Sequence, residues 1–172
     1  MIIVTGATGK LGGAIAERLL QRLPASGIGV SVRDPEKAHA LAERGVRVRQ
    51  GDFADPASLR RSFEGASQIL IISSNAAAYG GDPVAQHRNA IDAAKAVGAR
   101  RILYTSHMAA STASRFPPMR DHAATEAMLR SSGTAFTVFR NGFYADAVPR
   151  LMGKAVETGE LVGPKDGPVS WT

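Results

Sequence analysis

Short β-branched, apolar runs alternate with amphipathic stretches along the whole chain, a rhythm that predicts βαβ units around a mostly parallel sheet. Six strands are expected, at Ile2 to Thr5, Gly27 to Val32, Val46 to Gln50, Gln68 to Ile72, Arg101 to Thr105 and Ala135 to Phe139. After the first, Leu11, Ile15, Leu19, Leu20 and Leu23 recur at helical spacing, so a glycine turn is expected to open directly into a helix. Asp34-Pro35 and Asp55-Pro56 mark the starts of the second and third helices. In each, the carboxylate accepts from unsatisfied N–H groups, and proline's missing N–H is no loss in a first turn. A fourth helix is expected over Ala85 to Val97, stopped by Gly98, and a fifth over Asp121 to Ser131, ending near Gly133. Two stretches break the rhythm, Ser74 to Pro83 and His107 to Arg120. Both follow strand ends, where open α/β sheets take their ligands, so each is a candidate pocket wall or lid as well as a plain surface loop.

With 172 residues, 44% of them apolar and 21% charged, the chain can bury a sizeable core, and no repeat or low-complexity linker divides it. The expected fold class is therefore one α/β domain over residues 1–172, a doubly wound Rossmann-like parallel sheet with helices on both faces. No apolar run approaches the roughly 18 to 20 residues of a membrane span, and Met-Ile-Ile-Val-Thr-Gly lacks the basic start of a signal peptide. Cysteine is absent, which excludes disulfides and thiolate metal sites and fits a cytoplasmic setting. His39, His87, His107 and His122 are too scattered to suggest a metal cluster, so no metal is expected. The net charge of +6 raises the question of nucleic acid. Its sources stand in ones and twos without interleaved aromatics, so a polynucleotide is not the expected main partner.

Gly6, Gly9 and Gly12 fall at intervals of three between the first strand and the first helix. In that setting the three serve a tight turn, close backbone approach to a pyrophosphate and close packing of helix on strand, and the helix N-terminus favours the phosphate charge. Lys10 does not stand in the order that a triphosphatase phosphate loop requires. The choice between NAD and NADP is read at the end of the second strand, where Arg33 suits a 2′-phosphate and Lys37 is a second contact candidate. Asp34 is open to reading as the acid that binds an NAD ribose, but its place before Pro35 favours a helix cap. NADP(H) is therefore the expected cofactor, with NAD(H) allowed. Asp52 and Phe53 fall where the adenine should rest, Asp52 either accepting from its amino group or serving as a turn residue.

The segments TGATGKLG, VRDPEKA, QGDF, ILIISSN, HRNAIDAAKAVGARRILYTS, HAATEAML and FRNGFY occur in that order. Together they resemble the NmrA-like branch of the atypical short-chain dehydrogenase/reductases, and within it the type 2 NAD(P)H:quinone oxidoreductases, over essentially the whole chain. The resemblance implies that Thr8, Lys10 and Leu11 line the pyrophosphate and that Arg33 meets the adenosine phosphate. It further implies that Ser73, Ser74 and Asn75 flank the ribose and nicotinamide, and that Thr105, Ser106 and His107 close the nicotinamide side. Asn141, Gly142, Phe143 and Tyr144 would lie near the substrate. Capping of turns by Ser73 and Ser106, and a core role for Phe143, are the plain alternatives.

The usual Tyr and Lys of short-chain reductases have His122 and Glu126 as their counterparts here, and Glu126 puts negative charge where a cation is expected. Ordinary alcohol dehydrogenation is therefore disfavoured, whereas a quinone, whose product is a stabilised hydroquinone anion, asks less of a protein acid. His122 and Tyr144 are the candidate proton donors or orienting groups, each with a plain packing role as the alternative. The expected activity is hydride transfer from NADPH to a small quinone; the competing expectation is a non-catalytic NADP(H)-binding redox sensor. Members of the resembled family usually continue further, so the substrate-covering C-terminal portion is expected to be missing. An edge bearing Trp171 would then invite a second subunit, a homodimer.

Overall fold

The computed structural model describes residues 1–145, 149, 152, 153 and 155–160. Six strands, β1 (Ile2–Thr5), β2 (Ile28–Val32), β3 (Arg47–Gln50), β4 (Gln68–Ile71), β5 (Arg101–His107) and β6 (Ala135–Asn141), form one sheet in the order β3-β2-β1-β4-β5-β6. Every neighbouring pair is parallel. The connecting helices are α1 (Lys10–Leu20), α2 (His39–Glu43), α3 (Pro56–Phe63), α4 (Pro83–Ala96) and α5 (Pro117–Ser131). The strand order reverses between β1 and β4, which creates the crevice where doubly wound sheets take their ligands.

Alternation along the strands divides the interior into two cores. Ile3, Ile69, Ile71, Ile102 and Tyr104 face Leu59 and Phe63 of α3, Ala90 and Ile91 of α4 and Leu129 of α5. Val4, Val30, Val32 and Leu70 face the other way, toward Ala16 of α1 and Leu41 of α2. Helices therefore lie on both faces, as expected.

Local chemistry sets the helix starts. The Asp34 carboxylate accepts from the Glu36 N–H at 3.2 Å, and the following stretch is a 3₁₀ turn (Pro35–Ala38) before the short α2 rather than one continuous helix. Asp55 accepts from Ala57 and Ser58. The fourth helix opens two residues before its sequence-based start because Asp82-Pro83 repeats the device, with Asp82 accepting from Val84 and Ala85. The fifth opens four residues early, at Pro117, since two prolines fit a first turn whose N–H groups have no helical partner.

Several of the arginines behind the net charge are engaged by the fold. Arg47 donates to the Glu64 and Ser62 carbonyls, and Arg49 to the Arg61 carbonyl and the Glu64 carboxylate, so both clamp the end of α3. The Val169 to Thr172 stretch lies outside the described residues.

Candidate active site

The turn after β1 is held by backbone bonds from Gly6 to the Ser31 carbonyl and from Gly9 to the Gly6 carbonyl, at 3.2 and 3.0 Å. Gly6 has a φ of +62°, which an L side chain rarely adopts. At Gly12 a Cβ would come within 2.7 Å of the Gly6 carbonyl carbon and 2.9 Å of the Ala7 Cα, so helix and turn touch only because that side chain is absent. Gly9 caps α1, with no side-chain cap bond and no acid in the first turn, an opening that suits an anion.

Above this turn, a cleft of about 580 Å³ runs along the carboxyl ends of β1 to β4. Gly6, Thr8, Gly9, Arg33, Asp52, Phe53, Ser73, Ser74 and Asn75 line it, so the structure brings these expected residues together. Arg33 is exposed at its rim. Asp34 is used by its cap and by Lys37 at 3.5 Å, the arrangement expected of a capping acid. One Asp52 oxygen accepts from the Ala54 N–H at 2.8 Å, which makes Asp52 a turn residue as well as a wall of the cleft. Beneath Asp52, Gly51 packs against the Ser31 and Ser62 hydroxyls, themselves bonded at 2.9 Å.

The segment after β4 is pinned from behind. The Ser73 N–H donates to the Thr105 hydroxyl at 2.9 Å and the Ser74 N–H to His87 Nε2 at 2.8 Å, while the Ser74 hydroxyl bonds Gln86. Because Nε2 accepts, His87 carries its proton on Nδ1 and donates to Thr125 at 2.8 Å. Burial, with 1% exposure, pushes the His87 pKa down to about 4, so this imidazole is neutral. His87, Gln86, Tyr79 and Gly81 form or support this wall; Tyr79 and Gly81 fall within the Ser74 to Pro83 stretch expected as a pocket wall, whereas sequence reasoning gave His87 and Gln86 no part in it. The partners of His87 and Gln86 lie in other elements, so no local spacing marks them.

Several expected cofactor residues take other positions. Leu11 and Thr105 line a separate, largely apolar groove of about 410 Å³ between α1 and the sheet, and Gly12 acts through packing. The Ser106 hydroxyl points to α5 and donates to Glu126 at 2.8 Å, away from the cleft. Lys10 and His107 are not among the residues that line the cleft.

Beyond the cleft, the ends of β5 and β6 carry the remaining candidates. Glu126, 2% exposed, receives Arg140 through both oxygens at 2.9 and 2.6 Å and Arg130 at 2.9 Å. The Arg140 bonds hold its pKa below the ordinary glutamate value, aided by Ser106 and opposed by burial. His122 Nδ1 lies 2.8 Å from the Tyr104 hydroxyl, and its ring stacks on His107 at 6.3 Å between centroids. His107 Nδ1 accepts from the Ala109 N–H, so its proton sits on Nε2, a buried atom with no hydrogen-bond partner among the described residues. Burial lowers the pKa of both rings. Phe143 is exposed and meets His107 edge-on at 5.1 Å, rather than joining the core. Asn141 donates to the Tyr144 hydroxyl at 2.9 Å, and both line the apolar groove.

A six-stranded parallel sheet in this order, with a glycine turn opening into α1 below a cleft at the switch point, defines a Rossmann-like dinucleotide-binding domain. The chain belongs to the NAD(P)H-binding family, whose model matches residues 6–170. It is 43% identical over 163 residues to quinone oxidoreductase 2 of Escherichia coli, covering 95% of this chain and 56% of that protein. An NmrA-like family domain-containing oxidoreductase of Aspergillus flavus is 35% identical over 173 residues, covering 99% of this chain and 56% of that protein. Among solved structures, the NADPH-dependent quinone oxidoreductase of Escherichia coli in complex with NADPH matches with a TM-score of 0.84 at 43% identity. That match covers 92% of this chain and 55% of the other. Triphenylmethane reductase of a Citrobacter species, complexed with NADP(H), gives 0.78 at 39% identity over 86% of this chain and 51% of the other. The chain thus spans about half the length of these relatives.

Proposed function

We propose that the chain carries the cofactor-binding portion of an NADPH-dependent reductase whose hydride acceptor is a small quinone. The observation that supports this most directly is the engagement of Glu126 by Arg140, Arg130 and Ser106, which leaves a neutral imidazole, His122, where short-chain reductases offer an acid and a cation. A neutral donor suits an acceptor whose reduced anion is already stabilised by its own ring.

Bound in the cleft, the reduced dinucleotide would supply the hydride. The glycine turn and the head of α1 receive the pyrophosphate, and Arg33 pairs with the 2′-phosphate. The Ser73 to Asn75 wall, pinned by Thr105 and His87, sets the depth of the nicotinamide ribose. At the far end His122 would hydrogen-bond a quinone oxygen and stabilise the charge that grows on it, while Phe143 packs against the ring. One hydride and one proton from water complete the hydroquinone. Tyr144 is the second hydrogen-bond donor for this step.

The test is calorimetric titration of the 172-residue chain with NADPH, followed by 1,4-benzoquinone while nicotinamide absorbance is recorded. Oxidation above the protein-free rate is expected. Binding without oxidation would replace the reductase by an NADP(H)-binding redox sensor, and absence of binding would remove both.

A further inference from the structure

Tyr104 is a core tyrosine by position, fully buried on the face of β5 that packs against α4 and α5. Core packing alone would be served by phenylalanine, yet the hydroxyl sits 2.8 Å from His122 Nδ1. We propose that Tyr104 is the positioning residue of this site: its O–H donates to His122 Nδ1 and so fixes His122 as the Nε2–H tautomer, the form that can donate to a substrate oxygen. This inference rests on the reductase reading for its consequence, though not for its geometry.

Among the described residues the Tyr104 hydroxyl lies 2.8 Å from His122 Nδ1, and a neutral imidazole nitrogen is a stronger acceptor than the nearby Thr125 hydroxyl. His87 meets the Tyr104 ring edge-on at 5.3 Å, but its Nε2 lone pair is occupied by the Ser74 N–H and its Nδ1 carries a proton to Thr125. Thr125 in turn donates its own hydrogen to the Asp121 carbonyl at 2.8 Å. Burial pushes the Tyr104 phenol up, partly offset by Thr125, so Tyr104 remains an O–H donor at neutral pH. The groups facing His122 are Tyr104, His107 and His87 with the carboxylates of Asp121 and Glu126, and burial is the largest influence, favouring the neutral ring. A neutral imidazole has one N–H, and a bond at one nitrogen decides that the other carries it. Without Tyr104 the two tautomers would exchange, and a share of the molecules would present a lone pair to the substrate oxygen.

The experiment is ¹⁵N-correlated NMR of the histidine side chains in the 172-residue chain at neutral pH, with His122 assigned by the signals lost in His122→Gln. The expected spectrum shows the His122 proton on Nε2 and an accepting Nδ1. In Tyr104→Phe the two nitrogen shifts are expected to move toward an averaged pair while NADPH affinity changes by less than about 2-fold. Quinone turnover is expected to fall about 10-fold in kcat with little change in KM, on the scale of a lost oriented donor. A wild-type His122 protonated on Nδ1, or shifts unchanged in Tyr104→Phe, would overturn the proposal. The wild-type spectrum decides the tautomer even if the variant misfolds. Wild-type protein that fails to oxidise NADPH with quinone would strike the reductase reading and leave the tautomer result standing.

Discussion

At the β1–β2–β3 end of the cleft the walls are mostly backbone: a glycine turn, the head of a helix and a strand end, all within short reach along the chain. Behind and beyond the cleft, toward β5 and β6, the groups are side chains gathered from distant elements, as in His87 with Thr125, Tyr104 with His122, and Glu126 with Arg140. The first end recognises what every dinucleotide shares and needs close approach. On the proposed reading the second would have to suit one acceptor, which needs placed hydrogen-bond donors. A site built from glycines tolerates almost no added volume, whereas a site built from paired side chains is sensitive to charge and protonation.

The sharpest way to break this contrast is Gly12→Val. Its Cβ would meet backbone atoms of Gly6 and Ala7, which can move only by parting helix from turn. NADPH affinity is expected to fall by more than about 100-fold and stability by about 3 kcal/mol, read by calorimetry and denaturant unfolding. A variant that still binds NADPH like the wild type would end the claim that close packing builds this half.

The opposite end should respond to acid in two steps. His87 has a folded pKa near 4 against an ordinary 6.5, so the unfolded chain takes up its proton first. Its contribution is complete above about pH 6.5 and is lost as pH falls toward 4, on the order of 3 kcal/mol by linkage. Glu126 is also held below its ordinary 4.5, so its contribution is present above that value and disappears at still lower pH. In denaturant unfolding across pH 3 to 7, His87→Gln should flatten the upper step, and Glu126→Gln the lower one, by about 2 kcal/mol. Profiles that keep both steps in these variants would assign the acid sensitivity elsewhere.

The smallest effect is expected at the rim of the cleft. Arg33→Ala should weaken NADPH about 10-fold and leave NADH nearly unchanged, since the proposed ion pair with the 2′-phosphate would be lost. Equal losses for both dinucleotides would remove the phosphate contact.

The same contrast explains what was legible in the sequence. All six strands, the glycine turn, the switch-point cleft and the capping role of Asp34 follow from local periodicity and local hydrogen bonding. The early starts of α4 and α5 do not follow from apolar spacing, which begins later; Asp82-Pro83 carries the same signal as Asp34-Pro35, and two prolines open α5. The resemblance puts Ser106 beside the nicotinamide, but strand alternation turns it to Glu126, on the face opposite Thr105. His87, Tyr104 and Arg140 gave no signal, since each acquires its role from residues 13 to 38 positions away.

Successive residues Ile3 and Val4 point into different cores, and so do Ile69 and Leu70. The sheet backbone is what the two interiors share, so volume changes on one side reach the other only through a stiff hydrogen-bonded layer. Double-mutant cycles across the sheet, such as Leu41→Ala with Leu59→Ala, should come out additive within about 0.5 kcal/mol. Lineages of this fold could then explore new side chains on one side of the sheet without renegotiating the other, a modularity that resides in a period of two.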